Sequence, residues 1–280
     1  MWKSFMSATT LKTEEAPLAG LQRLTLAQMA EILDAAASTA NDRAHRIHLG
    51  CKRVRSYLRL MRETLGEERY GYENVYFRNL ARPFGQLRDI EVAQQTVDAL
   101  IAAEPDALSP AEIDTLRAVA KRLPVPDRDD MSKARVDAAI AAAQTRFATA
   151  IAGELDLKGA LKHLYRRNRR SFLKAKKRQS TVCLHEWRKQ AKYLRYALAA
   201  CLDVWPAAAP YRKRLKKLGD LLGIDHDLAG LHDGLVVTAA ASKPDAVIAR
   251  RRAVVQARAL KRGERLCEDK AGAFLRSVTG

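Results

Sequence analysis

The sequence predicts an all-α protein built as two helical bundles, an internal duplication related by a pseudo-two-fold axis. Three observations carry that prediction. Ala, Leu and Arg dominate the 280 residues, β-branched runs are scarce and no strand-like alternation persists. Apolar residues recur at helical spacing along the chain. The chain also repeats itself. At an offset of 140, His45, Lys52, Arg55 and Leu58 fall on His185, Lys192, Arg195 and Leu198 without gaps. At an offset of 138, Leu80, Gly85 and Asp89-Ile90 fall on Leu218, Gly223 and Asp227-Leu228. A repeat of this period implies two similar structural halves. A His and a row of cations are what repeats, so a ligand is expected to engage both halves at once.

The elements follow in order. Residues 1–20 lack the apolar stretch of a signal peptide and read as a flexible N-terminus. Thr25 caps a helix to about Ala40. Asn41 or Asp42 caps the next, which carries the first motif and ends near Gly66. A helix over 68–82 stops at Pro83 and Gly85, and another over 87–103 stops before Pro105. Pro110 opens a helix to Arg122. Pro124-Val125-Pro126-Asp127 reads as the linker between a first half over 21–123 and a second over 128–280. The second half reads as helices over 129–152, 156–178, 181–203, 208–222, 226–241 and 244–277. Thr181 is the candidate cap of the second motif helix, and Pro206, Pro210, Gly223 and Pro244 punctuate the later turns.

Charge narrows the function. The formal net charge is +18, which points to a polyanionic partner. Residues 158–198 carry 14 Lys/Arg against Glu186 alone, whereas residues 86–157 carry 8 against 13 Asp/Glu. The positive charge is thus concentrated on the two repeated regions. Four cysteines without CxxC spacing argue against a disulfide framework and for a reducing compartment. No apolar run approaches the ~18 residues of a membrane span. The expected location is the cytoplasm.

In the first motif helix His45, His48, Lys52, Arg55, Arg59 and Arg62 form one stripe at spacings of 3, 4, 3, 4 and 3. The stripe runs about 25 Å. It sits one residue on from the apolar stripe Ile47, Cys51, Val54, Leu58, Met61 and Leu65, so it borders the core. His185, Arg188, Lys192 and Arg195 repeat the layout beside Trp187, Ala191, Leu194 and Leu198, and Lys189 widens the basic face. The preceding helix adds Lys158, Lys162, Arg166, Arg169 and Lys176. Arg212 with Lys216, and Arg78 with Arg82, are i,i+4 pairs. Like charges at these spacings repel by a few tenths of a kcal/mol per pair. An absent polyanion accounts for such a stripe, and phosphate suits it, because guanidinium forks hold its oxygens bidentately. The competing explanation is that long basic side chains lay their stems on apolar surface and keep their heads in water.

On these residues the chain resembles the CHAD family, the conserved-histidine α-helical domain. The family pattern is a His followed by Arg or Lys at +3, +7, +8 and +10, in two copies, each with a later glycine-containing turn and an Asp. The second copy matches through His185, Arg188, Lys189, Lys192 and Arg195, with Leu218-Gly219-Asp220-Leu221-Leu222-Gly223 and Asp227 following. The first matches through His45, Lys52, Arg53 and Arg55, then Gly85-Gln86-Leu87-Arg88-Asp89, and departs at +3, where His48 stands in place of Arg. The resemblance covers about residues 20–278. It implies two bundles around a basic central groove or channel, binding of inorganic polyphosphate, and association with polyphosphate granules. It implies a binding module rather than an enzyme, with no cofactor. The expected site comprises His45, His48, Lys52, Arg53, Arg55, Arg59, Arg78, Lys162, Arg166, Arg169, His185, Arg188, Lys189, Lys192, Arg195, Arg212 and Lys216.

Two other functions compete. Nucleic acid would be attracted nonspecifically by the same charge, although the basic helices lack interleaved aromatics other than Tyr193 and Tyr196, which core packing explains as well. Asp225-His226-Asp227 with His232-Asp233 suggests a metal-dependent phosphohydrolase. That cluster has no histidine counterpart at Arg88-Asp89, and a cap at Asp225 with a salt bridge through Asp227 explains it equally. No metal site is expected, and association into a homo-oligomer stays open.

Overall fold

The computed structural model describes residues 10–149, 151–237 and 243–280, and every regular element among them is helical. The first helix, α1, spans Pro17–Ala37. It starts well before Thr25, which is buried inside it and donates its hydroxyl to the Leu21 carbonyl at 2.7 Å instead of capping. Residues 1–9 of the expected flexible start lie outside the described residues. From Thr10 the chain is held to the fold, which corrects the expectation for 10–20. The Thr10 hydroxyl donates to Asp203 at 2.5 Å, and the N–H of buried Leu11 donates to Ala200 at 2.7 Å.

Helix α2 spans Arg43–Leu60 and α3 spans Arg62–Ala103. Gly66 kinks α3 with a φ of 75°, a conformation open to glycine. The expected stop at Pro83 and Gly85 does not occur. Pro83 lies inside α3, and the cost of its missing N–H is offset by the buried Phe77, Leu80, Ala81 and Phe84 around it. Helix α4 (Pro110–Lys121) opens on a capping box of Ser109 and Glu112. Residues 124–127 are irregular, as a linker should be.

They do not divide the molecule, however. Helix α5 (Lys133–Ala148) packs on α1. The Gln22 amide donates to the Phe147 carbonyl at 2.7 Å, Tyr76 donates to Ala139 at 2.8 Å, and Arg146 forks onto buried Glu73 at 2.6 and 3.0 Å. The element expected to open the second half therefore packs on helices that precede the linker segment.

Helix α6 (Leu157–Arg178) is capped by Asp156, and α7 (Thr181–Ala200) by Ser180 rather than Thr181. Helix α8 (Ala209–Val237) runs unbroken past Gly223. The expected helix over 226–241 reaches beyond it into 238–242, outside the described residues. Asp225 is no cap: it is buried within α8 and accepts from Arg252 at 2.9 Å and Gln256 at 2.7 Å. The expected helix over 244–277 is two, α9 (Lys243–Cys267) and α10 (Ala271–Thr279). Between them the Asp269 carbonyl accepts the Tyr165 hydroxyl at 2.7 Å.

One core holds the buried Phe77, Phe84, Phe147, Tyr165, Trp187 and Phe274 together. A smaller one joins the far ends of α3 and α8 to α4 and α9 through Val97, Leu116, Val119, Leu231, Leu235 and Ile248. All four cysteines are buried and free. No helix among the described residues is long and apolar enough to cross a membrane.

Candidate functional site

Helices α2 and α7 pack on each other, and the Ser56 hydroxyl donates to the Tyr193 carbonyl at 3.3 Å where they meet. Their apolar stripes face the core, with Ile47, Cys51, Val54, Trp187, Ala191 and Leu194 buried. The basic stripes, one residue on, therefore meet at the rim of that core. Half-buried Lys52 of α2 comes into electrostatic range of Arg188 and Lys192 of α7. Burial first, then Arg188, pushes the Lys52 ammonium down to about 8. Burial, then Arg188 and Lys52, pushes Lys192 down to about 7. Buried Arg188 Nε has no hydrogen-bond partner. Among the described residues, neither lysine nor Arg188 has a carboxylate within the 4.0 Å of an ion pair. Asp89 of α3 and Asp227 of α8 face the cluster from farther off, and burial raises the Asp227 carboxyl against the pull of Arg188 and Lys192.

To one side of this crossing a cleft of about 280 Å³ is lined by Arg55, Arg59 and Arg62, by His163 and Arg167 of α6, and by Glu186, Lys189 and Tyr193 of α7. It continues into a second of about 620 Å³ that adds Arg166 and Arg170. The Arg59 guanidinium lies 3.6 Å from the centre of the Tyr193 ring and donates to the Arg55 carbonyl. Arg55 donates to Asn74 at 3.1 Å, and Arg195 lies 4.6 Å over its neighbour Tyr196. Lys189 pairs with Glu186 at 2.5 Å.

Lys52, Arg55, Arg59, Arg188, Lys189, Lys192 and Arg195 thus lie at or beside the crossing. Other expected residues do not join them. His48 turns inward: its Nδ1 donates to the Ala81 carbonyl at 3.1 Å, and the ring covers Gly85, where a Cβ would come within 2.8 Å of it. Burial, then Lys52, lowers its pKa to about 4, so it is a neutral packing residue. His45 is exposed at the start of α2. His185 pairs with His226, Nδ1 to Nδ1 at 3.2 Å, so one ring donates and the other accepts. Burial lowers both, His226 to about 4. Arg53 turns to α1 and meets Gln28 at 3.3 Å and Glu31 at 3.4 Å. Arg169 donates to the Cys267 carbonyl at 2.9 Å. Lys162 lines neither cleft, and exposed Arg78, Arg212 and Lys216 line neither, Lys216 pairing with Asp220 at 3.1 Å.

A second basic flank of α6 was missed in the sequence; of the flank chosen there, Arg166 lines the second cleft. His163, Arg167, Arg170 and Lys174 also recur at 4, 3 and 4, on the opposite side of the apolar stripe from Lys162, Arg166 and Arg169. Periodicity marks both flanks as bordering the core, and only the position of α2 selects one. The His–Asp cluster disperses: Asp225 binds Arg252, His226 meets His185, and His232 meets Asp245 at 3.1 Å. Asp227 faces Arg188, and Asp233 lines a separate cleft beside His185. No three His, Cys, Asp or Glu among the described residues converge to hold a metal ion.

Comparison with known proteins bears on this arrangement. The family model described as CHAD domain matches residues 22–236. The crystal structure of the CHAD domain from the plant Ricinus communis is similar, with a TM-score of 0.57 over 97% of this chain and 94% of that chain. Identity is 16%, so that likeness shows the fold alone. No curated protein matches the chain. The family model spans both motif helices and the Gly85 and Gly223 segments that follow them, and the chain belongs to the CHAD domain family.

Proposed function

We propose that the protein binds inorganic polyphosphate in a cationic groove where the motif helices of an internally duplicated fold cross. The observation that carries this is the group Lys52, Arg188 and Lys192, half-buried together without an ion pair. Desolvated cations held side by side raise the energy of the empty protein, and a regularly spaced polyanion removes both the desolvation and the repulsion. Arg55, Arg59, Arg167 and Lys189 extend the path along the cleft.

A second correspondence supports the duplication. His48 and Arg188 occupy one repeat position, and Gly85 and Gly223 another. His48 packs on Gly85, and Arg188 is the side chain a Cβ at Gly223 would meet, at 3.6 Å. The aromatic rings near the motifs favour polyphosphate over nucleic acid. Arg59 and Arg195 cover Tyr193 and Tyr196, leaving those faces engaged rather than open to bases. The protein then acts as a binding module, and its affinity would bring it to polyphosphate granules in the cytoplasm.

The test is a salt titration of long-chain polyphosphate binding by wild type and by Arg188→Gln. Affinity is expected to fall with salt in both, with a shallower slope in the variant, because one cation fewer releases counterions. Equal affinity and slope would remove Arg188 from the site.

A further inference from the structure

Three clefts of the basic face share one carboxylate. Glu186 lines the cleft of about 280 Å³ beside Arg55 and Arg59, its continuation of about 620 Å³ beside Arg166 and Arg170, and a third of about 520 Å³ beside Lys174 and His185. It is the one acidic residue of the stretch 158–198. The duplication does not supply it, since Arg46 stands at the matching position of the first motif helix and pairs with Asp34. The carboxylate is held from two sides. Its Oε1 accepts the amide of buried Gln190 at 2.7 Å, and its Oε2 pairs with the Lys189 ammonium at 2.5 Å. Lys189 lines the first and third clefts, so the ion pair borders both. A partly exposed pair of this kind adds little stability. Its effect falls on an incoming polyanion, which meets a like charge and a cation already engaged.

We propose that Glu186 is an autoinhibitory contact, an intramolecular anion that occupies Lys189 in the free protein and that polyphosphate displaces on binding. The role rests on the polyphosphate reading of the groove and adds a regulating residue to it. Phosphate takes over the Lys189 ammonium, and the displaced carboxylate no longer competes for it. A carboxylate that served only to aim Lys189 at the ligand would act with the opposite sign, because its loss would weaken binding.

The experiment measures binding of long-chain polyphosphate at about 150 mM salt by the intact wild type, Glu186→Gln, Lys189→Gln and the double variant. Glutamine keeps an oxygen for the Gln190 amide, so the fold is expected to persist. Glu268→Gln supplies the same change in net charge at an exposed residue that lines none of these clefts. Glu186→Gln is expected to bind about three- to tenfold tighter than the wild type, and Glu268→Gln less than about twofold tighter. The salt slope is expected to steepen in Glu186→Gln, because Lys189 then releases its counterions to the ligand. Lys189→Gln is expected to cost more affinity in the Glu186→Gln background than in the wild type, a coupling whose sign an aiming role would reverse. A Glu186→Gln affinity equal to or below wild type would overturn the proposal. So would a gain matched by Glu268→Gln, or a Lys189→Gln loss that shrinks in the variant background. A wild-type protein that binds no polyphosphate would overturn the proposed function, and the autoinhibitory role with it.

Discussion

Lys52 and Lys192 make the strongest residue-scale statement, because their low pKa values link ligand binding, stability and pH with opposite signs. A polyanion favours the charged lysines, so binding takes up protons. Affinity is expected to fall as pH rises through about 7 and 8, where the free protein loses the charge on Lys192 and then Lys52. Stability of the free protein runs the other way. Between those values and the ordinary lysine pKa of about 10.4 the unfolded chain binds more protons than the folded one, so these two residues make stability rise with pH. Isothermal titration in two buffers of different ionisation heat would read the proton uptake directly. Lys192→Gln is expected to weaken polyphosphate binding about tenfold or more. Relief of roughly 1 kcal/mol of repulsion in the free protein would raise its Tm by about 2 °C. A variant that binds as wild type does, or melts lower, would contradict the mutual repulsion. The lysines were legible in the sequence as part of a stripe, whereas His48 was misplaced. One helix shows only that a side chain borders the core, and the Ala81 carbonyl that draws His48 inward belongs to another.

At the scale of elements, the motif helices were the most legible part, because a duplicated pattern with adjoining apolar and basic stripes constrains both type and orientation. Breaks were less legible. Pro83 and Gly223 read as stops, yet the buried faces of α3 (Phe77, Leu80, Phe84) and α8 (Leu218, Leu222, Leu228) carry each helix through them. Gly85 is needed for a reason no propensity shows, the ring of His48 against its Cα. Gly85→Ala is therefore expected to destabilise by about 1–3 kcal/mol through overpacking. Gly223→Ala, whose Cβ would meet Arg188 at an ordinary 3.6 Å, is expected to be neutral or to gain up to about 1 kcal/mol of helix propensity. Chemical denaturation of the two variants, with Gly85→Ala repeated in a His48→Ala background, separates the effects. A Gly85→Ala cost that persists undiminished without His48 would show that the ring is not its cause.

Across the whole molecule, the expected half-boundary was misplaced because α5 is tied to α1 and α3 by long-range contacts. Arg146 of α5 neutralises Glu73, whose side chain is 1% exposed, and also lies over the Tyr76 ring. Arg146→Ala would leave that carboxylate buried and unpaired, at an expected cost of about 2–3 kcal/mol after allowance for the partly exposed arginine. Glu73→Gln in the same background should recover part of it, as read by denaturant midpoint. The net charge of +18 acts at this scale too, attracting any polyanion at low salt. Binding alone therefore does not identify the ligand. The decisive measurement is competition at about 150 mM salt, where exposed charges beyond about 8 Å are screened. Labelled long-chain polyphosphate bound to the wild-type protein is challenged with orthophosphate, pyrophosphate, heparin and single-stranded RNA. Polyphosphate recognition at the helix crossing requires displacement by unlabelled polyphosphate at concentrations where heparin and RNA leave the complex intact. Equal displacement by RNA and heparin would contradict it and reduce the crossing to one part of a generally basic surface.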